Sequence, residues 1–199
     1  MFPLGSVLFP HAALPLHVFE PRYRALVEDC LAGEPEFGVV LIERGSEVGG
    51  GDVRFDVGTV ARIVEVSQFP DGRYALVALG TARLEVVEWL ADDPYPQARV
   101  EVLEEADAGV AVNARNALEH EVRRVLALAA ELGVSVPPHD VRLADDPRRA
   151  TFEACALAPI QPLDAQRLLE VGDPSERLVR LTELLTDTAE LLELRLGEG

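Results

Sequence analysis

The order of apolar and polar positions divides the sequence into two parts that meet near residue 105. Before that point, short β-rich segments are separated by Gly, Pro and Asp, and after it apolar residues recur at helical spacing. Strands are predicted over residues 14–20, 37–43, 57–69, 73–90 and 95–103. Helices are predicted over residues 21–31, 118–132, 147–157, 163–171 and 178–192.

Turn-forming residues indicate how the first part is arranged. Pro-Asp-Gly at 70–72 predicts a tight turn between two β-rich arms, and Gly80 predicts a bend or bulge in the second arm. A run of three glycines predicts a loop over 46–52. With the 21–31 helix inserted among the strands, the first part is predicted to be a small, strongly curved sheet or pseudo-barrel.

Capping residues indicate where the helices of the second part begin and end. Gly133 is predicted to end the first of them, and Asp146 followed by Pro147 predicts the start of the next. A capping box is predicted at 173–176, before the last helix. The fold class is therefore predicted to be α+β, with a β-rich part at 1–105 and a C-terminal helical bundle at 106–199.

Composition narrows the classes of function. The chain has 35 acidic and 18 basic residues, and its formal net charge of −17 disfavours nucleic acid and anionic membranes as partners. Its basic residues are all arginine, so it has no lysine for a Schiff base, a Ser–Lys dyad or a phosphate-binding loop. It opens with no leader-like segment and contains no apolar run of membrane-spanning length, which predicts a cytoplasmic location.

Candidate catalytic and metal-binding groups form no pattern typical of an active site. Cys30 and Cys155 lie far apart in apolar surroundings and are expected to be buried, reduced thiols. The four histidines are His11, His17, His120 and His139. None belongs to a motif with metal-ligand spacing, and the paired carboxylates are expected to be solvated. We therefore expect no catalytic residue, no metal and no cofactor.

The most specific pattern lies in the first 23 residues. Residues 2–10 read Phe-Pro-Leu-Gly-Ser-Val-Leu-Phe-Pro, and residues 14–23 read Leu-Pro-Leu-His-Val-Phe-Glu-Pro-Arg-Tyr. Gly-Thr-Val-Ala-Arg-Ile follows at 58–63, and Ala-Leu-Gly-Thr-Ala-Arg-Leu at 78–84. These segments, with the 37–43 strand, resemble the N-terminal substrate-binding domain of Lon proteases, including its stand-alone bacterial members.

The resemblance implies both a fold and a function. It implies a six-stranded, PUA-like pseudo-barrel carrying one helix, followed by a helical bundle. It also implies a stand-alone, non-catalytic polypeptide-binding or adaptor protein of protein quality control. Its expected partner is unfolded or tagged polypeptide, with a protease or another protein as a further partner. The ATPase lysine and the Ser–Lys peptidase dyad of Lon have no counterpart in this sequence.

Five residues are the candidates for contact with polypeptide. They are Phe19, Glu20, Arg22 and Tyr23, at the strand-to-helix junction, and Arg83 on a central strand. The four residues at the junction each have a structural alternative. Phe19 is expected in the core, Glu20 at the exposed N–H groups of the helix start, and Arg22 beside a carboxylate. Tyr23 is expected to pack, with its hydroxyl hydrogen-bonded.

Two other classes of function are compatible with the sequence. One is a small-molecule binder or an enzyme of unknown reaction, using a groove between the two parts with His17, Glu20 and Arg22 as polar groups. The other is a structural partner that forms a homodimer through its last helix. The apolar residues of that helix extend beyond one narrow seam and include Leu184, Leu185, Leu191 and Leu192.

Overall fold

The computed structural model describes residues 1–45, 51, 53–106, 111–137 and 140–197. The chain falls into two compact units, Met1–Glu104 and Glu105–Gly199. We call them the sheet unit and the helix unit. The loop predicted at 46–52 lies outside the described residues except for Gly51, and His139 lies outside them as well.

The described part of the sheet unit contains six strands and one helix. The strands are β1 (Phe2–Leu4), β2 (Ala13–Val18), β3 (Glu36–Arg44), β4 (Val53–Gln68), β5 (Tyr74–Trp89) and β6 (Ala98–Val102). Helix α1 (Pro21–Ala32) follows β2 in the chain and begins with proline, as predicted. The predicted turn at 70–72 is confirmed, and Gly72 adopts a φ of 82° there.

All six strands form one mixed sheet. Its hydrogen-bonded order is β1-β3-β4-β5-β2, and β6 pairs with the other half of β5. The β1–β3 pair is parallel and every other pair is antiparallel. Bulges interrupt the register of the two long strands, β4 and β5, and the sheet curves into a half-barrel.

The core of the sheet unit lies between α1 and one face of the sheet. Helix α1 buries Tyr23, Leu26 and Val27 in this cluster. Strand β3 is buried on both faces, because Val39 belongs to the main cluster and Val40 to a second, smaller one. The residues at 37–43 form a near-continuous apolar run, and such runs are typical of strands that are buried on both faces.

Gly80 marks a bulge at a close approach of two chain segments. The register between β4 and β5 shifts beside it, as the sequence predicted. His11 N–H donates to Gly80 O at 2.8 Å, and Gly80 N–H donates to Ala12 O at 2.9 Å. A Cβ atom at position 80 would lie 2.3 Å from Phe9 O, so glycine is required by the contact itself.

The helix unit contains four helices in its described residues. They are α2 (Val112–Glu131), α3 (Pro147–Leu157), α4 (Pro162–Glu170) and α5 (Pro174–Gly197). Helix α5 contacts α2, α3 and α4, and buries Leu181, Leu185 and Ala189. No helix in the described ranges is long and apolar enough to cross a membrane.

The predicted helix ends are confirmed in most details. Helix α2 ends before Gly133, which has a φ of 74°. The Asp146 side chain accepts hydrogen bonds from the N–H groups of Arg148 and Arg149. Asp173 likewise accepts a hydrogen bond from Ser175 N–H at 2.7 Å.

Candidate functional site

The predicted contact residues at the strand-to-helix junction form one small cluster. Glu20 is the N-cap residue of α1, but its carboxylate makes no capping hydrogen bond. It accepts one from Arg22 Nε at 3.2 Å instead. The expectation that Glu20 satisfies the helix N–H groups was therefore wrong, because the adjacent guanidinium competes for the same carboxylate. The expectation that Arg22 pairs with a carboxylate is confirmed.

Tyr23 anchors this junction to the core. Its side chain is buried, and its ring stacks on Phe2 with centroids 4.1 Å apart and planes 12° apart. The Arg22 guanidinium lies 4.4 Å from the same ring centroid, on a residue that remains partly exposed. Glu20, Arg22 and Tyr23 are thus brought together, with Tyr23 as support and the ion pair at the surface.

Phe19 was expected in the core, and this expectation was wrong. Its side chain is 55% exposed, while the preceding Val18 is buried. The alternation of β2 places Val18 on the core face, so Phe19 falls on the opposite side of the chain. An exposed phenylalanine at the end of a strand is available for contact with another molecule.

Arg83 lies apart from the junction and is only 3% exposed. It pairs with Thr59 across the β4–β5 ladder, and its guanidinium donates to Glu104 O at 3.4 Å. A guanidinium this deeply buried presents no surface to a polypeptide. The structure therefore separates Arg83 from the other four candidates.

A concave surface lies on the sheet face opposite the core, and we call it the outer groove. Its volume is about 480 Å³. It is lined by Pro15, Leu16, His17, Glu65, Val66, Ser67, Phe69, Ala75, Leu76 and Val77. Strands β2, β5 and β4 lie side by side beneath it. Clefts of this size, largely apolar with a few polar groups, are typical of binding sites.

Strand register brings residues of β2, β5 and β4 together in rows on this face. One row across the three strands consists of Pro15, Val77 and Glu65, and the next consists of His17, Ala75 and Ser67. Residues directly opposite one another share a face of the sheet. The middle of the second row is therefore a small alanine, beside an exposed His17 and close to the bulge that interrupts the β4 register.

Aromatic residues border one end of the outer groove. Phe69 is 41% exposed, and its ring centroid lies 5.6 Å from that of His17. The Arg73 guanidinium lies 5.7 Å from the Phe69 ring centroid and also pairs with Asp71 at 2.7 Å. Phe19 follows His17 by two positions, immediately after β2 ends. Phe19 is thus a second exposed aromatic residue, in the segment that joins β2 to α1.

Sequence reasoning did not identify the outer groove. Its lining comes from three strands and becomes contiguous only through their register. The sequence did show polar and small residues in the two arms of the hairpin and Phe69 just before the 70–72 turn. In the structure Phe69 is exposed. That pattern is also typical of an ordinary solvated sheet face, so it does not specify a site.

The outer edge of β2 is a poor place for a polypeptide strand to pair. Gly80 N–H donates to Ala12 O, which fixes the even-numbered residues of β2 as those facing β5. Pro15 is odd-numbered and therefore sits at an outward-facing position in the middle of the edge. Because proline has no N–H group, it interrupts the donors that an added strand would need. The exposed face of β2 is thus better suited to contact than its edge.

Three groups that could act as nucleophiles, two thiols and one phenol, have raised pKa values. Burial raises the pKa of Cys155 to about 12, and burial also raises the pKa of Cys30, which is half-buried rather than fully buried as expected. A hydrogen bond to Asp29 at 2.7 Å raises the pKa of Tyr95 to about 12. Raised values keep these groups protonated at neutral pH, where thiolates and phenolates would be the nucleophiles. No cluster of three potential metal ligands occurs within the residues described.

Comparison with known protein sequences identifies one family. The family model described as the ATP-dependent protease La (LON) substrate-binding domain matches residues 1–187. The chain is 33% identical over 203 residues to the Lon protease of Anaeromyxobacter dehalogenans (strain 2CP-C), across 96% of this chain and 23% of that protein. It is also 33% identical over 201 residues to Lon protease 2 of Myxococcus xanthus, with the same coverage. The chain spans about a quarter of the length of these curated relatives.

Solved structures show the same fold. The crystal structure of a Lon N-terminal domain protein from Xanthomonas campestris is similar with a TM-score of 0.69 and 29% identity, over 92% of this chain and 95% of that one. The N-terminal domain of a Mycobacterium avium complex Lon protease is similar with a TM-score of 0.58 and 20% identity, over 94% and 96%. The second likeness concerns the fold alone.

Proposed function

The chain belongs to the LON substrate-binding domain family, and from that premise we propose that it recognises unfolded or tagged polypeptide without catalysing a reaction itself. The family match across residues 1–187 carries the proposal, because the matched domain is described by its binding of substrate. In this proposal the protein acts as an adaptor that holds client chains for a protease or another protein partner, in the cytoplasm.

The outer groove supports this function, and we propose it as the place where a client binds. A client segment lies across β2, β5 and β4, with an apolar side chain over Ala75 and against Phe69. Phe19 extends the contact beyond the end of β2. Aromatic side chains, phenylalanine among them, are enriched at protein interfaces relative to the rest of a protein surface.

The five predicted contact residues divide into different roles. Phe19 contacts the client, and Glu20 and Arg22 form a polar margin beside it. Tyr23 holds the junction in place through its stack on Phe2. Arg83 is left out of the site, because its burial keeps it from any client.

We also propose a more detailed architecture for the two units. We regard the sheet unit as a PUA-like pseudo-barrel with α1 inserted, and the four later helices as a bundle. The boundary expected from the sequence, between residues 105 and 106, lies one residue beyond the end of the sheet unit. The position of α1 between β2 and β3 in the chain supports the first description. The contacts of α5 with α2, α3 and α4 support the second.

Fluorescence anisotropy with unstructured peptides tests the proposed function. The probes are labelled peptides of about 20 residues, of net positive charge, that differ only in one central residue, Phe or Ser. Saturable binding of the Phe peptide is expected, and weaker binding of the Ser peptide. Phe69→Ser and Phe19→Ser are each expected to weaken binding of the Phe peptide by about tenfold.

A matched control is available on the helix unit. Leu194 is 67% exposed on α5, so Leu194→Ser removes a similar exposed apolar side chain far along the chain from the groove. This variant is expected to bind as the parent does. Absence of saturable binding to every peptide would contradict the proposed function, and equal losses in all three variants would contradict its location.

A further inference from the structure

Strand β6 is an edge of the sheet with unoccupied backbone groups. Leu103 N–H donates to Arg83 O at 3.0 Å. At the other end of β6, Leu90 N–H donates to Gln97 O, so an odd-numbered residue faces β5 there as well. These bonds fix the odd-numbered residues of β6 as those facing β5. The N–H and C=O groups of Ala98, Val100 and Val102 therefore point away from β5. Nothing in the described ranges forms a backbone hydrogen bond with them.

Strand β6 differs from β1 and β2, the two strands at the ends of the hydrogen-bonded order. Strand β1 contains Pro3 and strand β2 contains Pro15, whereas β6 reads Ala-Arg-Val-Glu-Val and contains no proline. Proline and charged side chains are common protections of an edge strand. Of these two protections β6 has only charged side chains, Arg99 and Glu101. Its Val100 and Val102 are 36% and 62% exposed. The β6 edge is therefore open to strand pairing.

We propose that β6 pairs antiparallel with β6 of a second copy of this chain, in a register centred on Val100. In that register Val100 faces its own equivalent, and Ala98 faces Val102 of the second copy. All three are outward-facing positions, so each pair exchanges two backbone hydrogen bonds. The two sheets become one continuous sheet across a twofold axis.

Charge selects this register over its neighbours. Centring on Val100 places Arg99 opposite Glu101 of the second copy, on both sides of the axis. Centring on position 99 would place two arginines opposite each other, and centring on position 101 would place two glutamates opposite each other. Opposite charges directly across a strand pair stabilise it and like charges destabilise it. The five-residue sequence of β6 is thus complementary to itself in one register only.

The apolar face of β6 adds to the same contact. Ala98 packs against the smaller core cluster, which contains Val40, Leu84 and Val86. Val100 lies opposite Val86 on β5 and shares that face. Pairing two β6 strands brings their exposed valines together and extends the cluster across the axis. The association is therefore stabilised by apolar burial as well as by hydrogen bonds.

The association is expected to be weak. Paired five-residue strands bury less than the roughly 1,000 Å² that is typical of a stable interface. Each copy also carries a net charge of −17, which opposes association at low ionic strength. At about 0.15 M salt the Debye length is about 8 Å, so only charges near the interface still interact. We expect a dissociation constant of about 0.1 mM under these conditions.

Sedimentation equilibrium on the full chain, up to about 1 mM, tests the proposal. Val100→Pro removes the outward N–H groups at the centre of the interface. It removes no hydrogen bond within the chain, because the N–H of residue 100 faces away from β5. This variant is expected to keep the parent far-UV circular dichroism spectrum and to associate at least about tenfold more weakly.

Charge variants keep the test decisive if proline disturbs the strand. Arg99→Glu alone and Glu101→Arg alone place like charges opposite each other across the axis, so each variant is expected to be monomeric. Because Arg99 also pairs with Glu88 on β5 of its own chain, each variant must in addition keep the parent far-UV circular dichroism spectrum. The double variant restores the complementary pairs and the dimer. An equimolar mixture of the two single variants is expected to form a heterodimer, because each then supplies the charge that the other lacks.

Two results would overturn the proposal. One is a strict monomer at every concentration. The other is a dimer that the proline and charge variants leave unchanged, which would place the contact on another surface. The last helix is the evident alternative. It exposes Leu191 and Leu194, while Leu185 and Leu192 are buried within the helix unit.

Discussion

The Arg177 guanidinium donates a hydrogen bond to the Glu105 carboxylate at 2.7 Å, from a side chain with no exposed surface. It also donates to the Thr151 hydroxyl at 3.1 Å and to Val171 O at 2.5 Å. The Phe152 ring centroid lies 3.7 Å from the guanidinium carbon. One buried arginine thus joins α5 to α3, to the segment after α4 and to the first residue of the helix unit.

Replacing this arginine is expected to destabilise the helix unit. Arg177→Met keeps much of the side-chain volume but leaves the Thr151 hydroxyl and the Val171 carbonyl without their donor. Breaking a buried, hydrogen-bonded charge pair costs about 3–5 kcal/mol. Urea unfolding followed by far-UV circular dichroism measures this loss.

An exposed ion pair on the same helix is the control for Arg177. Arg180 pairs with Glu176 at 2.5 Å, and both side chains are about half exposed. Arg180→Met is expected to change the free energy of unfolding by about 0.5 kcal/mol or less. Equal effects of the two substitutions would show that the buried contacts of Arg177 do not stabilise the unit.

Gly80→Ala is expected to destabilise the sheet unit. The added Cβ would lie 2.3 Å from Phe9 O, and backbone atoms cannot yield as a flexible side chain can. The segment held by the His11 and Ala12 hydrogen bonds must therefore move. A loss of about 2–4 kcal/mol is expected by thermal or urea unfolding.

Gly133→Ala is the control that measures the cost of an unfavourable backbone conformation without a steric clash. No atom lies within 4 Å of a Cβ built at Gly133, but its φ of 74° is unfavourable for alanine. A cost of about 1–2 kcal/mol is expected there. A smaller loss at Gly80 than at Gly133 would contradict the close approach of the chain to Phe9.

Cys155 makes the stability of the helix unit sensitive to alkaline pH. Burial raises its pKa from 9.0 to about 12 in the folded chain, so the unfolded chain ionises first as the pH rises. The stabilisation is complete below about pH 9 and is lost progressively towards pH 12. Cys155→Ala is expected to lose less stability than the parent between pH 8 and 11 in urea titrations.

Thiol alkylation checks the same burial independently. Cys155 is expected to resist iodoacetamide in the native protein at neutral pH and to react once urea unfolds the chain. Cys30 is half-buried, and its thiol donates to Glu36 O at 3.2 Å, so it reacts slowly rather than not at all. Rapid native labelling of Cys155 would contradict its placement in the core.

The sequence predicted best those features that local chemistry determines. Helix α3 begins at Pro147 because Asp146 caps its N–H groups, and both residues are adjacent in the sequence. The 70–72 turn and the end of α2 at Gly133 depend likewise on a few neighbouring residues. Family resemblance in the first 23 residues identified the fold, and the match over residues 1–187 agrees with it.

The candidate site was predicted less well, because it depends on contacts between distant segments. Phe19 is apolar, which favours the core, yet the phase of β2 places it outside. Arg83 is charged, which favours the surface, yet the sheet buries it beside Thr59. The outer groove depends on the register of three strands and on a bulge in β4, and neither can be obtained from residue type alone.

The location of a bound client tests the central claim most directly. A positively charged peptide of about 20 residues, carrying a central benzoylphenylalanine, is photo-crosslinked to the full protein and the attachment sites are mapped by mass spectrometry. Crosslinks at residues 15–19 and 65–69 are expected, with loss of both in the Phe69→Ser variant. Crosslinks confined to α5, or spread evenly over the surface, would contradict recognition of polypeptide by the outer groove.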